Sequence, residues 1–216
     1  MTRTARGSGR LIAIEGIDGS GKSTLVRALA TALRRRGHSV ALHREPNDRA
    51  LGALAQSASV RDPWTGGVYF TVDRHLARPE MVRSLATHDL VLLDRSFYST
   101  LAYQGSALRP SDRRRLERLQ RTATIVPDRV VLLDLDPGEA IHRLASRVRP
   151  RGPLERTATL RRVAKAYRTL ARRPGWVVVD ARLPTEVTVR TILSRLNRLL
   201  SARGGGGVRP TARRRR

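Results

Sequence analysis

The chain has 216 residues, enough for one well-packed α/β domain and short for two, and it contains no cysteine, which excludes disulfides, thiolate zinc sites and a cysteine nucleophile. No apolar run approaches the length of a membrane span, and the first ten residues carry charge without the apolar core of a secretory signal, so a cytoplasmic protein is expected. The formal charge of +25 arises from 43 Lys and Arg against 18 Asp and Glu, with Lys22 and Lys165 the only lysines, and an excess of this size favours a polyanionic partner.

The ends separate from the rest by composition. Residues 1–10 read as a basic N-terminal tail. Residues 203–216 combine Gly204 to Gly207 with a terminal run of four arginines and have no periodic apolar face, so they read as a disordered basic appendage. One domain, 11–202, is left between them. Nucleic acid is expected as a partner only through the basic tail, because no aromatic residues interleave with the basic ones.

Within the domain, short apolar runs alternate with amphipathic stretches. Leu11–Glu15 reads as a buried strand, followed by a helix over Ser23–Arg36 that Gly37 closes. A second strand is expected at Val40–His43, a helix over Val68–Ala86, and a third strand at Leu90–Asp94. A helix over Ser111–Thr122 leads to a strand at Arg129–Asp134. Helices over Gly138–Arg147 and Thr159–Arg173 precede the last strand, Trp176–Asp180, and a final helix spans Thr185–Ser201. This alternation predicts an α/β fold with a five-stranded parallel sheet covered by helices on both faces, with ligands at the carboxyl ends of the strands.

Between the first strand and the first helix lies Gly16-Ile17-Asp18-Gly19-Ser20-Gly21-Lys22-Ser23, followed by Thr24, which matches the P-loop pattern in its required context. Glycines at these positions let backbone N–H groups close around phosphate oxygens, and the helix N-terminus adds its dipole. Lys22 is expected to bridge the terminal phosphates of a nucleotide, and Ser23 to ligate magnesium. Neither lysine lies in an Asn-Lys-x-Asp segment, so guanine-specific switching is disfavoured.

Further along, four segments occur in order. They are Arg44-Glu45-Pro46, Phe70 to Arg74, the run from Asp94-Arg95 through Ser99 to Tyr103-Gln104-Gly105, and Pro127-Asp128-Arg129 leading to Asp134 and Asp136-Pro137. With the P-loop, these segments resemble the thymidylate kinases, P-loop NTPase-fold enzymes that convert dTMP and ATP to dTDP and ADP, over about Leu11 to Leu200.

The resemblance implies ATP and Mg2+ as cofactors, dTMP as acceptor and a homodimer. It assigns Arg44 to the acceptor phosphate, Phe70 and Arg74 to the thymine ring, and Tyr103 and Gln104 to the sugar and base, with Ser99 beside them. Asp94 would reach the magnesium and Arg95 the transferring phosphoryl group. Asp18 would face the acceptor's 3′-hydroxyl or its magnesium. Four of these residues have an ordinary alternative: core packing for Phe70, a local ion pair for Asp94 and Arg95, turn chemistry for Asp18.

In the family that the chain resembles, charge on the transferring group comes either from a base within the P-loop or from arginines in a mobile lid; none of Ile17, Asp18, Gly19 and Ser20 is basic, so the resemblance implies a lid, at about 147–156. Arg147, Arg149 and Arg151 are the candidates, with Arg156 as alternate. Two segments depart from the family's pattern: Glu45-Pro46-Asn47-Asp48-Arg49 stands where Glu-Pro-Gly-Gly-Thr is usual, and the stretch after the lid is shortened. The alternatives are a related P-loop kinase acting on another nucleoside monophosphate or nucleoside, and a nucleic-acid-binding P-loop ATPase.

Overall fold

The five apolar runs form strands β1 (Arg10–Glu15), β2 (Val40–Arg44), β3 (Leu90–Asp94), β4 (Arg129–Asp134) and β5 (Trp176–Asp180) in a computed structural model that describes residues 9–146 and 153–201. Most of the two basic tails, and Arg147, Arg149 and Arg151, lie outside the described residues. The sheet has the order β2-β3-β1-β4-β5, and every pairing is parallel. The chain runs outward from β1 to β2, returns to β3, then crosses β1 to reach β4. The strand order therefore reverses at β1, and a crevice opens beyond the carboxyl ends of β1 and its neighbours.

Side-chain alternation along the strands assigns the two faces. Ile12, Ile14, Leu90, Leu92, Val131 and Leu133 pack with Leu25, Leu29 and Leu33 of α1 (Lys22–Arg35) and with Ile192 and Leu196 of α8 (Thr185–Ser201). Their sequence neighbours Leu11, Ala13, Val91, Leu93, Val130 and Leu132 face the other way. On that side lie α3 (Pro63–Thr87), α4 (Phe97–Tyr103), α5 (Pro110–Ala123), α6 (Pro137–Ala145) and α7 (Thr157–Leu170). The central strands β1, β3 and β4 are thus apolar on both faces, which is why each reads as a continuous apolar run, whereas the edge strands leave Leu42 of β2 and Val178 of β5 exposed. Among the described residues no helix is long and apolar enough to cross a membrane.

Three elements differ from the expectation. Helix α2 (Arg49–Arg61) is built from small residues with a weak apolar stripe, and it forms because the Asp48 side chain accepts a hydrogen bond from Leu51 N at 2.7 Å. Helix α3 starts at Pro63, five residues before the expected Val68, because Asp62 caps it by accepting from Trp64 N and Thr65 N. All seven residues of α4 are buried, so its sequence carries no amphipathic period to detect.

The substituted turn after β2 needs no glycine. Arg95 is the only non-glycine with a left-handed backbone among the described residues, so neither Asn47 nor Asp48 adopts one. The buried Asp73 carboxylate accepts from Asn47 N at 2.9 Å, Asn47 Nδ2 at 3.2 Å and Asp48 N at 2.7 Å. A side chain from α3 thereby supplies the turn with the backbone partners it requires.

Candidate functional site

Gly16 to Gly21 form the turn from β1 into α1, whose first residues are Lys22, Ser23 and Thr24. Gly21, at φ 89°, is the N-cap of α1 and offers no side chain to the helix, and no acid lies in the first turn. The first N–H groups of α1 are therefore free of side-chain caps at the positive end of its dipole, an arrangement suited to phosphate oxygens. Gly16, at φ 151°, cannot be replaced without collision, since a Cβ would lie 2.7 Å from both Leu133 O and Ser20 Oγ. The loop is closed from the inside by Lys22, which is buried and donates to Ile17 O at 2.8 Å. Burial, reinforced by the Arg95 charge, pulls the Lys22 amine down to about 7.

Ser23 Oγ donates to Asp94 Oδ2 at 2.5 Å across the gap between α1 and the end of β3. A hydroxyl and a carboxylate side by side next to a phosphate loop are hard oxygen donors of the kind Mg2+ takes alongside substrate phosphates. No cluster of three or more His, Cys, Asp or Glu that could hold a metal occurs among the described residues. The chain thus fits a metal held partly by nucleotide oxygens rather than by a protein cage.

Beside the loop is a cavity of about 340 Å³ lined by Asp18, Arg44, Phe70, Arg74, Arg95, Ser99, Tyr103 and Gln104. All eight residues expected on the acceptor side border this one space, although they come from four separate segments of chain. Arg44, at the carboxyl end of β2, is exposed and makes no hydrogen bond or ion pair among the described residues, so its planar fork is available. Phe70 is half-buried and belongs to none of the core clusters, whereas the only other phenylalanine, Phe97, is fully buried. That removes core packing as the explanation for Phe70.

Arg74 is more committed than its helix position suggested. It is buried, and donates from Nε to Glu45 Oε2 at 2.6 Å, from Nη1 to Gln120 Oε1 at 2.6 Å, and from Nη2 to Thr100 Oγ1 at 2.9 Å and Ser96 O at 3.3 Å. With four of its N–H bonds so used, one Nη1 hydrogen is left for a ligand. Burial pushes the Glu45 carboxyl up to about 7 against the pull of Arg74. Gln104 donates to Ser59 Oγ at 3.0 Å, which fixes its amide plane against α2.

Arg95 and Asp18 form an ion pair that joins the two halves of the site. Asp18 also accepts from Tyr103 OH at 2.9 Å while its N–H donates to the same hydroxyl at 3.0 Å. Burial drives the Tyr103 phenol far up, so it stays a proton donor. Arg95 Nη1 donates to Ser99 Oγ at 3.2 Å. Its own backbone has φ 73°, a conformation that costs roughly 1–2 kcal/mol in a residue with a Cβ.

What holds that conformation is Glu15, which sequence reasoning passed over. Glu15 is wholly buried and accepts from Ser96 N and Ser96 Oγ at 2.7 Å each, from Ser99 Oγ at 2.7 Å and from Tyr167 OH at 2.8 Å. One carboxylate thereby ties β1, the turn after Arg95, α4 and α7 together. A signal existed for Glu15, a charged residue closing an otherwise apolar strand immediately before Gly16. None existed for Tyr167, which follows Leu160 and Val163 at helical spacing and looks like core. Glu45, Asp73 and Gln120 were likewise not singled out, because their partners are distant in sequence.

The described chain resumes beside this cavity, where Leu154 and Glu155, in a short 3-10 turn (Pro153–Glu155), join its lining. Arg156 is exposed at the start of α7 and does not line the cavity.

The thymidylate kinase family model matches residues 14–192. A protein of Pyrobaculum calidifontis named probable thymidylate kinase is 34% identical over 199 residues, covering 88% of this chain and 97% of that protein. One of Archaeoglobus fulgidus with the same name is 35% identical over 181 residues, 82% of this chain and 89% of its own length. A thymidylate kinase of Xanthomonas euvesicatoria is 38% identical over 200 residues, 88% of this chain and 84% of its own. With a phosphate loop, a serine–aspartate pair and a cavity bordered by eight dispersed polar and aromatic residues already assembled, these matches lead to one conclusion: the chain belongs to the thymidylate kinase family of phosphotransferases.

Proposed function

We propose that this chain transfers the γ-phosphoryl group of Mg-ATP to the 5′-phosphate of dTMP, giving dTDP and ADP without a covalent enzyme intermediate. The reading rests on one observation above the others, the convergence of Arg44, Phe70, Arg74, Arg95, Tyr103 and Asp18 on a cavity of about 340 Å³ next to the phosphate loop. Its volume lies in the range of about 300–1,000 Å³ usual for small-molecule sites.

In this reading the loop N–H groups and Lys22 hold the donor phosphates, and Ser23 and Asp94 hold the metal, which neutralises charge between donor and acceptor when bound. Arg44 grips the acceptor phosphate and Arg95 stands between the two nucleotides. Phe70 provides the plate for the base, and the last free donor of Arg74 meets its edge. Tyr103, fixed by Asp18, crowds the sugar's 2′ position and so favours a deoxynucleotide. The lid arginines proposed at Arg147, Arg149 and Arg151 supply charge to the transferring group, because no base stands at positions 17–20 of the loop.

Measuring ADP release with dTMP, dCMP, dGMP and thymidine as acceptors tests this. Strong preference for dTMP is expected, and equal rates with all four would reject it. Phe70→Ala is expected to raise the KM for dTMP roughly 5- to 100-fold with a smaller change in kcat, since base–aromatic stacking contributes about 1–3 kcal/mol. An unchanged KM in the folded variant removes Phe70 from the base site.

A homodimer is part of the same proposal. Helices α2 and α3 leave Leu54, Val60, Val72 and Leu76 exposed, apolar surface that a second copy would cover. Light scattering that returns a single chain's mass of 24.0 kDa at micromolar concentration would overturn it.

A further inference from the structure

A second cavity, of about 410 Å³, lies away from the acceptor site, between α5 and α7. It is bordered by Arg113, Arg114, Arg162, Lys165 and Arg173, with Glu117 as its single acid. That acid is already neutralised: Arg173 donates to both its oxygens at 2.7 and 3.1 Å, and Arg121 donates from Nε and Nη2 at 3.1 and 2.9 Å. The side chains of Arg113, Arg114 and Lys165, by contrast, make no hydrogen bond or ion pair among the described residues. Other surface arginines on these helices do find acids, as Arg115 does with Asp112 and Arg168 with Asp134. Unpaired like charges gathered around one concavity repel each other, and a bound anion relieves that repulsion.

The chemistry of the lining narrows the ligand. Three unpaired cations on two helices suit an anion that carries several charges, while Arg162, which donates to Ser106 Oγ at 3.2 Å, marks a polar end wall. Leu101, Ala166 and Leu170 complete the cavity, and no aromatic ring lines it, so nothing there stacks a nucleobase. Lys165 adds a further distinction. Apart from Lys22 in the phosphate loop it is the chain's only lysine, a compact ammonium among guanidinium forks.

We infer that the cavity between α5 and α7 binds a multiply charged phosphate anion of the pyrophosphate type, recognised through its oxygens and not through a base. The site is separate from the phosphate loop and does not depend on which acceptor the enzyme uses.

The test measures inorganic pyrophosphate binding to the full chain by calorimetry near physiological salt, in a Lys22→Ala background that weakens the loop's own affinity. Adding Arg113→Ala and Lys165→Ala is expected to weaken the remaining binding at least about tenfold, the loss of two charge-assisted contacts. Both side chains are exposed and unpaired, so folding should be unaffected. Adding instead Arg190→Ala and Arg195→Ala, which removes the same charge from α8, is expected to change affinity less than about twofold. Equal losses in the two variants would show diffuse attraction to a basic protein and overturn the site, as would no loss in either. A companion titration with ATP separates the sources of such oxygens: because ATP also enters the phosphate loop, the quantity read is the loss on adding Arg113→Ala and Lys165→Ala, and a loss comparable to that for pyrophosphate supports recognition by phosphate alone, whereas a loss more than tenfold greater overturns it.

Discussion

Lys22→Ala is expected to lower kcat by roughly 10²–10³-fold, the usual loss when one preorganised donor to a charge-bearing oxygen is removed. The structure adds a proton to this prediction. Burial and the Arg95 charge pull the Lys22 amine down to about 7, so above that pH the neutral form is favoured in the ligand-free protein. A polyphosphate in the loop favours the charged form. Binding of ATP at pH 8 should therefore take up protons, and the uptake should fade as the pH falls well below 7, where Lys22 is already charged.

Titrations in two buffers with different ionisation heats measure this directly. Lys22→Arg, whose guanidinium keeps its charge throughout, should bind without the uptake. No uptake at pH 8 in the unsubstituted protein would reject Lys22 as the responding group. The same shift has a consequence for stability with the opposite reach. Between pH 7 and 10.5 the unfolded chain holds more protons at Lys22 than the folded one, so this group's contribution is complete above 10.5 and is lost as the pH falls through 7.

The parts of the fold that could be read from the sequence are those whose burial is written locally. The central strands β1, β3 and β4 are short apolar runs because they are covered on two faces, β2 and β5 are short apolar runs at the sheet's edges, and α1, α5, α7 and α8 each keep an apolar stripe against a polar face. Helix α4 escapes that logic because it is enclosed all round, and α2 because small residues leave almost no stripe. The site divides in the same way. Gly16 to Ser23 sit in one turn, so their chemistry depends on spacing and can be read from it. The partners of Arg74 are 29, 46 and 26 residues away in Glu45, Gln120 and Thr100, and those of Glu15 reach 152 residues to Tyr167. Contacts over such separations are set by how the helices pack across the sheet and have no local signature. Arg74 illustrates the difference, since its helix spacing suggested a free fork beside Phe70 while three separate segments take up its donors.

Glu15→Ala is expected to be the most destabilising single change in the site. Four donors now end on its carboxylate, and hydrogen bonds to a buried charge are each worth about 1.5–3 kcal/mol. The hydroxyls of Ser99 and Tyr167 can turn toward one another, 2.9 Å apart, and recover part of the loss. Ser96 N–H cannot turn, and without its acceptor the left-handed Arg95 loses what offsets its strain. A net loss of at least about 3 kcal/mol follows, against a total stability of about 5–15 kcal/mol for a domain of this kind. Glu15→Gln should fall between the two: its carbonyl oxygen can remain on Ser96 while its amide faces the two rotatable hydroxyls. Tyr167→Phe, which removes one donor and leaves no acceptor exposed to a fixed N–H, should cost only about 1–2 kcal/mol. Urea unfolding ranks the three, and the order Tyr167→Phe, Glu15→Gln, Glu15→Ala in increasing damage follows from which donors can rotate. If Glu15→Ala unfolded at the same midpoint as the unsubstituted protein, the carboxylate would not be what holds Arg95 against Asp18, and the turn after β3 would need another cause.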